Sequence, residues 1–185
     1  NAVSVTKNGQ SMLVDFGRET FGFVKLHGIK GKGNVVLYYG ESKEEAMSKA
    51  GAVTLDQLSF QTAVKDTLMS LSKAFRYVNV VRDASITVDS VSMLYEYADV
   101  KENGSFKCSD SEINRIYDVA KYTFRLNTRE FFIDGIKRDR WVWSGDAYQS
   151  YLMNYYLYFD NETVTRTLLA LRGKDPVTSH INTIM

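Results

Sequence analysis

Proline, cysteine and histidine are all scarce in this sequence. Average usage of about 5% would give roughly nine prolines, but the 185 residues contain only one, Pro176. The single cysteine, Cys108, excludes an internal disulfide and leaves the redox compartment open. One cysteine and two histidines are too few for the usual metal sites built from these residues, and no glycine-rich phosphate-binding motif occurs. We therefore expect no cofactor.

The sequence also lacks an excess of one charge and a long apolar run. Its 23 Lys and Arg nearly balance its 22 Asp and Glu, which gives a formal net charge of +1. Without a strong overall field, nucleic acid and anionic membranes are poor candidates for the main partner. No stretch reaches the roughly 18 apolar residues of a membrane span, and no signal peptide is visible. We expect a soluble protein, with a secreted or periplasmic location among those left open and its oligomeric state undetermined.

Aromatic side chains are abundant, with 10 Phe, 12 Tyr and 2 Trp. The composition is otherwise that of an ordinary globular protein, 44% apolar and 24% charged, which excludes the disordered and collagenous classes. The length allows one large domain or two small ones. Because the pattern of apolar residues changes near residue 100, we expect two domains, residues 1–103 and residues 104–185.

The first of these domains has the alternating apolar pattern of strands. The clearest example places Val91, Met93 and Tyr95 on one face, with polar Ser92 between them. Several short strands with no helices alternating between them favour an antiparallel β-sandwich of the jelly-roll type. The predicted strands are 12–16, 23–27, 35–39, 75–81 and 86–97, with 55–61 and 68–71 as further candidates, 17–22 as a turn and 41–49 as a helix-like interruption.

The second domain has apolar residues at helical spacing. Ser109 and Glu112 form a Ser-x-x-Glu capping box ahead of a helix that continues to about Phe124. A third predicted helix begins at 160 or 161, with Gly173 as its left-handed C-terminal cap.

Between these two helices, another predicted helix runs from about Ser144 to Tyr158 and is apolar nearly all round, which indicates burial on most sides. Three helices cannot bury it. The chain also stops without a cap at Met185. Both observations indicate a fragment of a longer protein.

Residues 131–146 form the segment most typical of a binding or catalytic site. This segment holds both tryptophans together with three aspartates and three basic residues. Aromatic faces that stack on a pyranose, charged groups that hold hydroxyls and a carboxyl group that moves a proton are the components of a sugar site.

Simpler explanations exist for each part of this segment. Lys137 to Arg140 could be a solvated charge run, and the two tryptophans could be one face of a core strand. Asp146 could be a helix N-terminal charge and Ser144 the helix N-cap. Outside the segment, we interpret His27 as a strand-end residue and His180 as a surface or loop residue.

The segment resembles the signature of the α-L-rhamnosidases of glycoside hydrolase family 78, which opens their catalytic helical barrel. The matching positions are Asp134, Arg138, Arg140, Trp143, Gly145 and Asp146. Segments 14–17, 21–24, 38–41, 75–78 and 104–106 resemble the β-sandwich and linker that precede the barrel in that family. The resemblance therefore extends over most of the chain.

The resemblance implies an inverting glycoside hydrolase that removes terminal α-L-rhamnose, with residues 104–185 as the start of an (α/α)6 barrel. It makes Asp139 the general acid, where the family has Glu, and assigns the rhamnose hydroxyls to Asp134, Arg138 and Asp146. Trp143 matches an aromatic wall, and Trp141 stands beside it as an extra tryptophan. The family's general base is a later Glu, beyond Met185, so the chain alone should be inactive.

Two alternatives remain open at this point. A related helical-barrel glycosidase could act on another sugar, because Asp139 and Trp141 depart from the family's pattern. A carbohydrate-binding or structural module could instead hold a sugar in the aromatic cleft without cleaving it. In each case the expected partner is a carbohydrate, and the first interpretation makes it one that contains rhamnose.

Overall fold

The chain divides into two compact units, Asn1–Glu96 and Tyr97–Met185. The computed structural model describes residues 2–69 and 71–172. The predicted cap Gly173 and His180 lie outside the described residues. No helix in these two ranges is long and apolar enough to cross a membrane.

The described part of the first unit contains seven strands in one antiparallel sheet, as expected from the alternating pattern. Strands β1, β2, β6, β3 and β4 follow one another in that order, and β5 and β7 also pair with β2. The strands are β1 (Ser4–Asn8), β2 (Ser11–Ile29), β3 (Gly33–Gly40), β4 (Leu55–Phe60), β5 (Val64–Leu68), β6 (Lys73–Arg82) and β7 (Ser90–Tyr95), and helix α1 (Lys43–Met47) follows β3.

One strand, β1, is missing from the prediction, and two predicted strands differ from the structure in position or extent. The candidate at 68–71 shares only Leu68 with β5. The sequence gives no signal for β1, because all of its residues are exposed and there is no buried face to produce alternation. The last predicted strand is too long at both ends, since β7 stops at Tyr95 and Tyr97 is exposed. The alternation within β7 is real, with Val91 buried and Met93 packed against the same core.

Strand β2 is continuous where a turn was predicted at 17–22. Its first part, up to Asp15, pairs with β1 and β6, and its second part, from Thr20, pairs again with β6 and then with β7 and β5. The register shifts between Asp15 and Thr20. Gly17 has a φ of +88°, a conformation that glycine adopts at low cost. The glycines therefore mark an irregularity within one strand and not its end.

A buried core lies on one face of both parts of β2. Val14 before the irregularity and Val24 and Leu26 after it are almost fully buried in one apolar cluster. Phe75 of β6 is fully buried in the same cluster, with its ring centroid 5.4 Å from those of Phe16 and Tyr39. Both parts of the strand therefore contribute to a single core.

The side chain of Asp15 organises the irregularity in β2. Its Oδ1 accepts a hydrogen bond from the backbone N–H of Gly17 at 2.7 Å. Arg76 of β6 donates to both carboxylate oxygens, from Nε at 3.0 Å and from Nη2 at 3.1 Å. These hydrogen bonds, those from Arg76 first, favour the ionised carboxylate and lower the pKa of Asp15.

The described part of the second unit contains three helices. They are α2 (Ser111–Asn127), α3 (Ser144–Leu157) and α4 (Asn161–Arg172). The predicted capping box at Ser109 and Glu112 is wrong by one residue. Asp110 is the N-cap of α2, and its carboxylate accepts from the backbone N–H groups of Glu112 and Ile113.

The expectation that α3 is buried on most sides is not met in the described residues. Tyr148, Tyr155 and Tyr156 of this helix are 59%, 63% and 74% exposed. The helix does contact α2 and α4, and the face that it buries includes Ala147 and Leu157. Two neighbouring helices cover only part of a helix that is apolar all round.

The C-terminal end of α3 is held by the segment before α2. The backbone N–H groups of Asn103 and Gly104 both donate to the carbonyl of Leu157, at 2.8 and 2.9 Å. The Asn103 amide also donates to the Tyr158 carbonyl at 2.6 Å. A Cβ on Gly104 would lie 1.7 Å from the Tyr156 carbonyl oxygen, so this close approach requires glycine.

We predict that Asp15→Asn reduces the loss of stability of the chain in acid. Because the pKa of Asp15 is lowered on folding, its contribution is present above the pKa of the unfolded chain and is lost as the pH falls. The melting temperature of the unmodified chain should therefore fall more between pH 5 and pH 3 than that of the variant. Asp99→Asn, which removes an exposed carboxylate, is the matched control and should follow the unmodified chain.

Candidate active site

The predicted site segment is an ordered loop between α2 and α3. Its first residues are held by α4, because the Phe132 backbone N–H donates to the Thr167 hydroxyl at 3.0 Å. That hydroxyl donates in turn to the Thr163 carbonyl at 2.7 Å, and both threonines are fully buried. Arg166, also on α4, donates to the Glu130 carbonyl at 2.6 Å.

Apolar side chains anchor the loop from within. Phe132 is 1% exposed and lies between Phe124 of α2 and Tyr151 of α3, at ring-centroid distances of 5.4 and 6.0 Å. Ile136 and Val142 are also buried. Because the apolar residues take the inner positions, the loop holds its shape while its charged residues stay at the surface.

Asp134 closes the loop by bonding to Trp141 in both directions. The Trp141 backbone N–H donates to Oδ1 of Asp134 at 2.9 Å, and the Asp134 N–H donates to the Trp141 carbonyl at 3.0 Å. The Asn127 side chain at the end of α2 donates to the Asp134 carbonyl at 3.4 Å. One oxygen of the Asp134 carboxylate therefore has a structural role, which the sequence did not indicate.

The charged residues lie at the tip of this closed loop. Arg138, Asp139 and Arg140 are all exposed, and a turn spans 136–139. Arg140 has a φ of +49°, in the left-handed region that costs a residue with a Cβ about 1–2 kcal/mol. Such a conformation persists only where surrounding contacts hold the backbone. The contacts of the loop, and not the backbone preference of Arg140, therefore set its shape next to the predicted acid.

The two tryptophans lie on either side of the inward-facing Val142. Trp141 is 55% exposed and Trp143 is half-buried, so the explanation that both belong to a core strand is wrong. Trp143 occupies the N-cap position of α3, and Ser144 is the first helical residue and not the cap. Asp146 is exposed in the first helical turn, where the helix dipole favours a negative charge.

The structure brings only part of the predicted site together by direct contact. Asp134 contacts Trp141, Arg138 and Asp139 share the loop tip, and Asp146 lies on the first turn of α3. Sequence analysis missed Asn127, Thr163 and Thr167, which hold the loop. The spacing of the two threonines by four residues on α4 is a signal that could have found them, since it puts both on one helix face.

A large groove of the second unit lies elsewhere. It has a volume of about 510 Å³ and runs between the segment before α2, α2 itself and α3. Its lining is apolar and includes Phe106, Ile116, Tyr117 and Met153, and none of the predicted site residues. Among residues 2–69 and 71–172, no group of three or more His, Cys, Asp or Glu is placed to hold a metal ion.

Two family models match the chain. Residues 1–80 match the model described as alpha-rhamnosidase-like, bacteroidetes, N-terminal. Residues 101–180 match the bacterial alpha-L-rhamnosidase six-hairpin glycosidase domain, which takes in the whole of the site loop. The chain belongs to the α-L-rhamnosidase family. The resemblance to this family in residues 134–146 is thereby confirmed.

Relatives and solved structures agree with this family. An α-L-rhamnosidase of Formosa agariphila is 27% identical over 164 residues, which cover 79% of this chain and 17% of the relative. The family 78 rhamnosidase of Bacillus sp. GL1 has a TM-score of 0.78 at 22% identity, over 91% of this chain and 19% of that one. A rhamnosidase from Klebsiella oxytoca with rhamnose bound has a TM-score of 0.73 at 21% identity, over 92% and 37%.

At these identities the solved structures show that the fold is shared. The chain spans well under half the length of each of these three relatives.

We predict that Asp134→Ala opens the site loop. The variant loses the bond from the Trp141 N–H, and a hydrogen bond to a charged group contributes about 1.5–3 kcal/mol. Hydrogen exchange at the Trp141 amide should therefore become at least about tenfold faster, and acrylamide should quench the tryptophan fluorescence more strongly. Asp134→Asn is the matched control, because its side-chain oxygen can accept the same bond. Equal exchange rates in all three proteins would contradict the loop closure.

Proposed function

We propose that this chain is part of a glycoside hydrolase that removes terminal α-linked L-rhamnose from a rhamnose-containing carbohydrate. The observation that carries the proposal is the match of residues 101–180 to a rhamnosidase glycosidase domain. The named activity of the Formosa relative and the rhamnose bound to the Klebsiella enzyme support the same substrate. The exposed charged tip beside Trp141 offers the groups that such a sugar needs.

For the architecture, we propose a β-sandwich in residues 1–103 and the start of an (α/α)6 barrel in residues 104–185. A single core that takes side chains from both parts of β2 supports the sandwich. The match to a six-hairpin domain and the three helices of the described second unit support the barrel. In this arrangement, further helices of a longer chain would cover the exposed face of α3.

Asp139 is the proposed general acid. An inverting enzyme protonates the leaving oxygen with one carboxylic acid and activates water with a second carboxylate about 6.5–9.5 Å away. Asp139 is exposed at the loop tip, so a glycosidic oxygen can reach it. Its side chain is one methylene shorter than the Glu of the family, and the closed, anchored loop compensates by holding the backbone in place.

The other proposed roles concern binding of the sugar. Asp134, Arg138 and Asp146 hold rhamnose hydroxyls through charge-assisted hydrogen bonds. Oδ1 of Asp134 already accepts from the Trp141 N–H, which leaves its second carboxylate oxygen for the sugar. Trp141 presents an exposed face for stacking and Trp143 a half-buried one. The catalytic base is proposed to be a Glu beyond residue 185.

A related glycosidase with another sugar specificity is the second candidate. Asp139 in place of Glu, and Trp141 as an additional aromatic, are the two features that favour it. A screen of the longer enzyme against aryl α-L-rhamnoside and other aryl glycosides separates the two. Turnover of the rhamnoside supports the first candidate, and turnover of another glycoside alone supports the second.

We predict that Asp139→Asn in the longer enzyme lowers kcat on an unactivated rhamnoside by about 10²-fold or more, since general acid catalysis contributes about this much. An aryl rhamnoside with a good leaving group needs less protonation, so its kcat should fall less. Asp118→Asn, at an exposed position of α2, is the control and should keep full activity. Unchanged turnover of the unactivated substrate by Asp139→Asn would contradict the assignment.

We also predict that the 185-residue chain hydrolyses no rhamnoside by itself. The proposed base is absent from it, and loss of either carboxylate disables inversion. Product release from an aryl α-L-rhamnoside, followed by absorbance, is the measurement. Hydrolysis by the purified chain would show that the second carboxylate lies within residues 1–185. Binding of rhamnose without cleavage by the longer enzyme would indicate a carbohydrate-binding module.

A further inference from the structure

Three side chains from three neighbouring strands meet on the outer face of the sheet in the first unit. His27 lies on β2, between β5 on one side and β7 on the other. It alternates with the buried Leu26, so its side chain is directed away from the core. The register places Asp66 of β5 directly opposite His27, and Ser92 of β7 directly opposite Lys25.

These side chains have the geometry of a Ser-His-Asp triad. Nδ1 of His27 lies 2.8 Å from Oδ1 of Asp66, and Nε2 of His27 lies 2.7 Å from Oγ of Ser92. The carboxylate is thus on one ring nitrogen and the hydroxyl on the other, as a nucleophile, a base and an orienting group require. The His27 side chain is 30% exposed, so a small molecule can reach it.

The surroundings keep the orienting carboxylate ionised. Lys25 Nζ lies 3.2 Å from Oδ2 of Asp66, the oxygen that His27 does not use. Hydrogen bonds from His27 and then from Lys25 lower the pKa of Asp66. An ionised Asp66 holds the proton of His27 on Nδ1, which leaves Nε2 free to accept the proton of Ser92.

We propose that Ser92, His27 and Asp66 form a second active site that cleaves carboxylic esters. The rhamnoside chemistry proposed for this chain uses none of these residues, so failure of one proposal leaves the other intact. The site is built by strand pairing, and it involves residues that are 39 and 65 positions from His27 in the sequence. It needs no cofactor.

The reaction follows from the order of the three groups. Oγ of Ser92 attacks the ester carbonyl carbon while its proton moves to Nε2 of His27. The bond from that carbon to the alkoxy oxygen then breaks, and His27 returns the proton to the departing alcohol. Water next attacks the acyl group on Ser92 and gives its proton to His27. Carboxylic acid is released, and the proton returns to Ser92.

Two neighbours on the same face define the substrate class. Leu94, two residues after Ser92, is 52% exposed, and Leu68, opposite Lys25 on β5, is 45% exposed. An apolar acyl chain has these two leucines to contact, so short acyl esters fit better than charged ones.

The test uses the 185-residue chain with p-nitrophenyl butyrate and a fluorophosphonate probe. We expect ester hydrolysis and a phosphonylated Ser92 in peptide mass spectrometry. Ser92→Ala and His27→Gln should lower the initial rate by at least about 10²-fold, and Asp66→Asn by a similar factor. Ser90→Ala, at an exposed serine of the same strand, is the matched control and should keep the rate.

Either of two results would overturn the assignment of an esterase site. If the probe leaves Ser92 unmodified in the folded chain, the three residues serve only to join β5 and β7 to β2. The same conclusion follows if Ser92→Ala hydrolyses the ester as fast as the unmodified chain. Labelling of the unmodified chain needs no variant, so it decides the matter even if a substitution prevents folding.

Discussion

Hydrogen bonds from backbone N–H groups to aspartate side chains fix the irregular backbone of this protein. Asp15 holds the register shift in β2, Asp110 and Asp160 begin helices, and Asp134 closes the site loop. Bonds to an ionised acceptor are stronger than neutral ones. With a single proline in the sequence, a locked φ is available at one position only, so polar side chains set the turns instead.

Hydrogen bonds and buried side chains also fix the shape of the site loop. Thr167 holds its beginning, the Asp134 and Trp141 pair closes it, and Phe132, Ile136 and Val142 anchor it inward. A segment with so many charges could have been a mobile surface loop. Fixed from several sides, it presents its charged tip without burying it, and this preorganisation is what the proposed sugar binding and proton transfer require.

Strand β2 also depends on contacts between residues that are far apart in the sequence. One of its faces supplies Val14, Val24 and Leu26 to the core, and the other carries His27. The sequence predicts both parts of this strand, because alternation is a local pattern. It wrongly places a turn between them, because glycines are typical of turns. The hydrogen bond from Arg76 to Asp15 joins residues 61 positions apart, so no local pattern indicates it.

Local patterns in the sequence determined the elements and the family. Alternation gave most strands, helical spacing gave α2, α3 and α4, and residues 134–146 gave the rhamnosidase family. Tertiary structure decided which groups meet: Asp134 with Trp141, and His27 with Asp66 and Ser92. The physical reason is how far apart in the sequence the interacting residues lie. Secondary structure depends on residues a few positions apart, whereas strand pairing and loop closure depend on contacts that appear only once the chain has folded.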